Sequence, residues 1–409
     1  MRGMTESLTI GERVAFYRRR RGLSQDVVAG LVGRTEDWLS KIENNRAELD
    51  RLSVIRRFAD VLDVSLGDLL GEPTLLDWTA ESGTSTVPAL RTALMDYRQL
   101  NAVLRRAAPA TEPPSLVSVE RDVAAVFDAY QAARFGFVTS RVPLLLTDAL
   151  TAADAYDGAD EERAHALLAL AYQVAASTLT KLGECDLAWM AADRGLAAAQ
   201  RSGSLPVMGS LFRSVVHSLL ATGRYDAAAQ LTADGSDYLS ASLGGADTSL
   251  WSVYGSLFLA GAMASSRMDD RALTREFLEQ AQRAAGYLGA DANHMWTAFG
   301  PTNVAIHRVA TAMELGDVQV AADLGPTVDT SALPVERRVR HALETARALS
   351  VSGRRDQALS TVLAAERLAP EQVRHHFISR QLVLAWMKNP RGTVTPELGA
   401  LAHRLRLAA

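Results

Sequence analysis

The chain has 409 residues, 48% of them hydrophobic and 22% charged, and its 43 basic residues face 47 acidic ones for a formal net charge of −4. This is enough chain for two or three domains with a sizeable core. The balance excludes a disordered polypeptide and a protein that coats nucleic acid or anionic membrane by bulk charge, so any nucleic-acid contact must be local.

The single cysteine, Cys185, excludes an intramolecular disulfide framework and argues against a thiolate zinc site. The start, MRGMTESLTIGERVAFYRRRRG, lacks the apolar run of a signal peptide, and no later stretch reaches the roughly 18 apolar residues of a membrane span. The expectation is a cytoplasmic protein with no membrane partner. Phosphate-loop, zinc-protease, nucleophile-elbow and dinucleotide signatures are all missing, so no catalytic residue and no cofactor are assigned. The eight histidines are scattered. His375 and His376 are adjacent, which on a helix points them about 100° apart, and no metal site is assigned.

Residues 10–70 read as five short helices. Ile10–Arg20 is the first. Ser24 caps the second, which Gly33 closes, and Thr35 caps the third, TEDWLSKIENN, with Glu36 and Asp37 in the first turn, where the helix dipole favours anions. The fourth covers about Leu52–Leu62, and Ser65 caps a last turn, SLGDLL, that stops at Gly71. Residues 1–46 hold nine Arg or Lys and six Asp or Glu, and Arg18–Arg21 is the densest basic run of the chain. That run reads either as a solvated helix end or as part of a DNA-facing surface.

The segments GERVAFYRRRRGLSQDVVAGLVGRTEDWLSKIENNRAEL and RRFADVLDVSLGDLL resemble the Xre/phage-repressor helix-turn-helix family over about 15% of the chain. The resemblance implies a lambda-repressor-like DNA-binding domain over residues 1–71. It places Gln25 at the start of the second helix, on phosphate and against the recognition helix. It places Glu36, Asp37 and Lys41 at base edges of the major groove with Ser40 between them, Arg46 at a phosphate, and Arg34 among the DNA-binding residues. Val28, Ala29, Val32, Leu39 and Ile42 fall on core positions, with Trp38 packing at their edge. Two departures stand out. Glu36 and Asp37 are acidic where the family often has Gln, Ser or Thr, which requires cytosine N4 or a basic neighbour, Arg34 or Lys41. Asn45 stands in place of a glycine, at a position Asn tolerates in the left-handed conformation.

Residues 72–115 read as a linker with a connecting helix: GEPTLLDWTAESGTSTVP over 71–88, an amphipathic stretch Ala89–Arg106, and a break at AAPATEPPS. From about 116 to 409 the chain is helical throughout, with turns at Gly136, Gly183, Gly223, Met268, Gly316 and Gly353 at intervals of 37 to 48 residues. Alanine-rich helices after these turns resemble tetratricopeptide repeats, giving six helix pairs and a remnant near 375–409; an irregular helical domain is the other reading. The fold class is all-α.

The layout resembles the peptide-pheromone regulators of Gram-positive bacteria and, more closely, actinobacterial regulators. The resemblance implies double-stranded operator DNA and a small-molecule or peptide signal as partners, with a homodimer formed through the helical body. A linker of this composition leaves the heads loosely tethered, and two heads would read half-sites about 10 bp apart. Three function classes follow: a signal-responsive regulator, a constitutive DNA-binding protein whose repeats dock a partner, and an enzyme or toxin–antitoxin component with a DNA-binding head. The signal site is expected in ANHMWTAFGPTNVAIHRVA, at Asn293, Trp296, Phe299, Asn303 and His307. Asn303 and His307 are four apart on one helix face, and the aromatics form a wall beside them. The competing reading has Trp296 and Phe299 filling core and Asn303 capping the helix.

Overall fold

The computed structural model describes residues 8–70, 86–96, 112–245, 247–388 and 394–407. Among them the fold is all-α, with one isolated bridge between Ala292 and Phe299. The chain divides into two compact units. One holds residues up to 73, 265–271 and 305–409, and the other holds 74–264 and 272–304.

The first unit opens with five helices, α1 (Ile10–Arg20), α2 (Gln25–Leu31), α3 (Glu36–Glu43), α4 (Leu52–Leu62) and α5 (Leu66–Leu70). The predicted caps are in place. Ser24 accepts from the Val27 amide and Thr35 from the Trp38 amide, and Thr9 forms a capping box with Glu12. Ser65 and Asp68 bond reciprocally at the start of α5. The predicted core is buried: Val28, Ala29, Val32, Leu39 and Ile42 are each at most 2% exposed and pack with Phe58 and Leu62. Asn45 takes φ 55°, the left-handed conformation expected of it.

At Gly11, α1 meets α3 so closely that a Cβ would stand 2.1 Å from the Ile42 carbonyl oxygen. Backbone cannot yield as a side chain can. Gly11→Ala is therefore expected to lower stability by about 1–3 kcal/mol or more, read as a drop in thermal midpoint. A variant melting like the parent would mean that α1 and α3 separate freely.

The expectation of a loosely tethered head is corrected by how this unit is built. The Ile10 amide donates to Gln381 Oε1 (3.0 Å), and the Gln381 amide donates to the Leu70 carbonyl (3.2 Å). Arg51 donates to the Glu314 carbonyl (2.9 Å), and the Leu52 amide donates to the Glu314 carboxylate (3.2 Å). Ser350 Oγ donates to Glu48 (3.0 Å), and Lys388 pairs with Glu12 (2.5 Å). Five short helices bury little surface alone, and here the C-terminal helices supply the rest. The predicted linker segment 71–85 and most of Ala89–Arg106 lie outside the described residues; a helix Thr86–Leu94 stands at the start of that stretch.

The second unit is a run of helices, Leu116–Gln131, Phe135–Ala155, Ala159–Lys181, Cys185–Ser202, Leu205–Ala221 and Tyr225–Ser240, each packed on the next through short turns. Alanines and glycines set the spacing. A Cβ on Gly195 would lie 2.5 Å from the Leu211 side chain, so the glycine makes room for Leu211 to pack between the helices. Gly183 and Gly223 in this unit, and Gly316 and Gly353 in the first, adopt positive φ at the predicted turns. Gly136 does not: it lies in the first turn of Phe135–Ala155, and Ala133 at φ 59° makes the turn instead. At the Met268 turn, Asp269 takes that role at φ 60°.

Candidate nucleic-acid interface

α2 and α3 form a helix-turn-helix whose inner side is held by a buried ion pair. Arg18 reaches from α1 to Glu43 at the end of α3 with two short bonds (2.6 and 2.8 Å), and its third donor group takes the Leu23 carbonyl (2.8 Å). Gln25, opening α2, donates to the same Glu43 carboxylate (2.7 Å). An acid in the last turn of α3 opposes the helix dipole, so it needs fixed partners, and α1 and α2 both supply one. The Arg18 guanidinium is held above its ordinary pKa chiefly by that bond.

This changes the reading of the basic run and gives Glu43 a role. The basic run Arg18–Arg21 is not a single outward patch: Arg18 is buried, Arg21 pairs with Asp63 (3.3 Å), and Arg19 and Arg20 are exposed. Glu43, given no role in the sequence reading, is the brace of the motif. Its signal was a lone acid at a helix C-terminus, three residues after a serine.

The opposite side of α3 is open. Arg34, Glu36, Asp37 and Lys41 are exposed, and Ser40 is half-buried. Asp37 carries out the bracing considered for it, accepting from Lys41 Nζ at 2.5 Å, one turn away. The Arg34 guanidinium lies 5.4 Å from the Trp38 ring centre, and Trp38 stacks on Phe58. Arg46 is exposed just beyond α3. The arrangement is a rigid, mixed-charge helix face flanked by two arginines, with its acids partly neutralised in place.

The stretch expected to hold a signal is built differently from a binding wall. Phe299 is fully buried, and a Cβ on Gly255 would meet its ring at 2.0 Å. Trp296 stacks on Phe127 at 4.3 Å, and its indole donates to Asp128 (3.3 Å). Asn293 and Gln131 exchange two amide bonds of 2.8 and 2.9 Å. Asn303 is 2% exposed and donates to the Ala298 carbonyl (2.9 Å). Met295, Trp296 and Ala298 all take positive φ, and these amides and rings hold that tight loop in shape. His307 is half-buried on the following turn of Pro301–Glu314, in the other compact unit. The loop-fixing role was foreshadowed by Gly300-Pro301, which interrupts the helical pattern.

Among the described residues no cluster of histidine, cysteine and acidic side chains is arranged to hold a metal, and no helix is long and apolar enough to cross a membrane. A search of curated proteins finds no match to the chain. The crystal structure of BtubC (BKLC) from P. vanneervenii is similar over 61% of this chain and 90% of that chain, at 14% identity and a TM-score of 0.35. Residues 9–72 match the family described as a helix-turn-helix domain, the span of α1 to α5, and this domain supports a DNA-binding regulator.

Proposed function

We propose that the chain is a sequence-specific, double-stranded-DNA-binding transcriptional regulator that acts as a homodimer and responds to a small-molecule or peptide signal through tetratricopeptide-like repeats. The observation that supports it most is the state of α3. Its C-terminal acid is clamped by Arg18 and Gln25, while Glu36, Asp37, Ser40 and Lys41 stay open to a major groove. On this reading Lys41 and Asp37 meet base edges, and Arg34, Gln25 and Arg46 position the head on phosphate.

Arg46→Ala is expected to weaken binding to all duplexes alike. Lys41→Ala is expected to cost about 1–3 kcal/mol on the cognate site and to relax discrimination at one base pair. Gel-shift titration on a selected operator and on scrambled DNA reads both. Two variants that bind like the parent would sink the contact assignment, and a monomer on DNA by light scattering would sink the dimer.

The burial of Phe299 and Asn303 removes two contacts expected of a signal, and the second reading has the helical body dock a protein while the head binds DNA constitutively. Native mass spectrometry of the purified chain separates the two, since a co-purifying small molecule or peptide is expected only of the first.

A further inference from the structure

We propose that the cavity between the helix-turn-helix head and the C-terminal helices of the same compact unit is a binding site for a small amphiphilic amine, a cation carried on an apolar body. The cavity has a volume of about 450 Å³, well within the range of ligand sites. Ile42 and Ile55 of the head and Phe377 and Leu382 of the C-terminal helices give it apolar walls, and Glu48 and Asp50 give it acids.

The choice of a cation follows from which polar groups of the lining are already committed. Arg347 shares one terminal nitrogen between Glu314 and Glu344 at 3.1 Å each, so its charge is already faced by two carboxylates. Gln381 spends its oxygen on the Ile10 amide and its nitrogen on the Leu70 carbonyl. Ser350 donates to Glu48 Oε1 and accepts from the Trp386 indole (2.9 Å), and Thr9 donates to Asn45, which donates to Glu12. Glu48 keeps a second carboxylate oxygen for a further donor, and Asp50 stands two residues away. Glu48 is exposed and Asp50 half-buried, and desolvation raises the pKa of both; Asp50 adds its repulsion to Glu48, and at Asp50 the attraction of Arg347 outweighs the repulsion of Glu314. A carboxylate with a free oxygen favours a cationic donor over a neutral one, since an opposite charge nearby stabilises its ionised form. Arg46, the remaining cation of the lining, is exposed to solvent.

An occupant would touch the segment that directly follows α3 on one side and the helices Val335–Val351 and Phe377–Lys388 on the other. Its binding is then linked to DNA binding, with reciprocal effects of each on the other. Only this linkage rests on the regulator reading above; the site itself does not.

The test uses the full chain and two matched pairs of probes, tryptamine with tryptophol and octylamine with octanol, titrated by calorimetry. Each amine is expected to bind at least tenfold tighter than its alcohol, Glu48→Gln to erase that preference, and Ala385→Phe, which fills the cavity, to remove binding of all four. Equal affinity of amine and alcohol, an unchanged preference in Glu48→Gln, or no binding of any probe would overturn the site. Glu48→Gln also keeps the test decisive where the bulkier Ala385→Phe fails to fold. Gel shifts with and without tryptamine are read separately. Amine selectivity in a chain that binds no DNA supports the site and sinks the regulator reading, while DNA binding without amine selectivity does the reverse.

Discussion

Arg347→Met is expected to destabilise the first unit by about 3–5 kcal/mol, the cost of removing one partner from a buried ion cluster. Arg347 is 5% exposed and lies 3.1 Å from the carboxylates of Glu314 and Glu344, of which Glu314 is wholly buried. Burial alone would pull the guanidinium toward losing its proton. Glu344, Glu314 and Asp50 reverse this, and the net effect is a raised pKa, so the group stays charged. Met fills similar space and leaves these acids facing one another without a cation. The loss should spread to the head, because the Glu314 carboxylate also takes the Leu52 amide and its carbonyl takes Arg51. Urea denaturation measures the effect. The triple variant Arg347→Met, Glu314→Leu, Glu344→Leu should recover much of it, since apolar replacement of a whole buried cluster is often neutral. An Arg347→Met chain with an unchanged unfolding midpoint would show that the cluster carries no net coupling.

How far these features were legible in the sequence depends on how local their causes are. Ser24, Thr35 and Ser65 bond within three residues of themselves, so the helix starts could be read directly. The 3.6-residue period that buries Val28, Ala29, Leu39 and Ile42 is equally local. Pairing over long separations was not legible. Arg18 looked like one of four basic residues on a helix end, and only the fold brings Glu43 beneath it. The contacts of Ile10 with Gln381 and of Arg51 with Glu314 join residues more than 260 positions apart, and nothing in a Gly/Ser/Thr-rich linker announces them. Trp296, Phe299 and Asn303 were rightly singled out as unusual in an alanine-rich body. Their chemistry fits both a ligand wall and a strained loop's own scaffolding, and the positive φ values at Met295, Trp296 and Ala298 place them with the second in this structure. A backbone conformation that needs side-chain amides to hold it has no period or spacing by which to be recognised.

Stability is expected to fall by about 2 kcal/mol between pH 7 and pH 5 on account of His375 alone. This side chain is 8% exposed, and its pKa is lowered to about 3, first by burial and then by the charges of Arg374, Arg380 and Arg406. A depressed folded-state pKa means that the unfolded chain takes up the proton first. The stabilisation is therefore fully present above about pH 6.5 and is lost as the pH falls from there toward 3, at roughly 1.4 kcal/mol per unit. His341, also lowered mainly by burial, acts in the same direction. Glu48 and Asp50 act in the opposite one: their raised values add stability as the pH falls through them, so the raw curve is a sum of both kinds of group. A difference measurement isolates the histidine. His375→Phe keeps a planar ring at the same position and cannot titrate, so the gap in unfolding free energy between the parent and this variant should shift in the variant's favour by about 2 kcal/mol from pH 7 to pH 5. Parallel curves over that range would mean that His375 is protonated in the folded chain, with the three neighbouring arginines turned away from it.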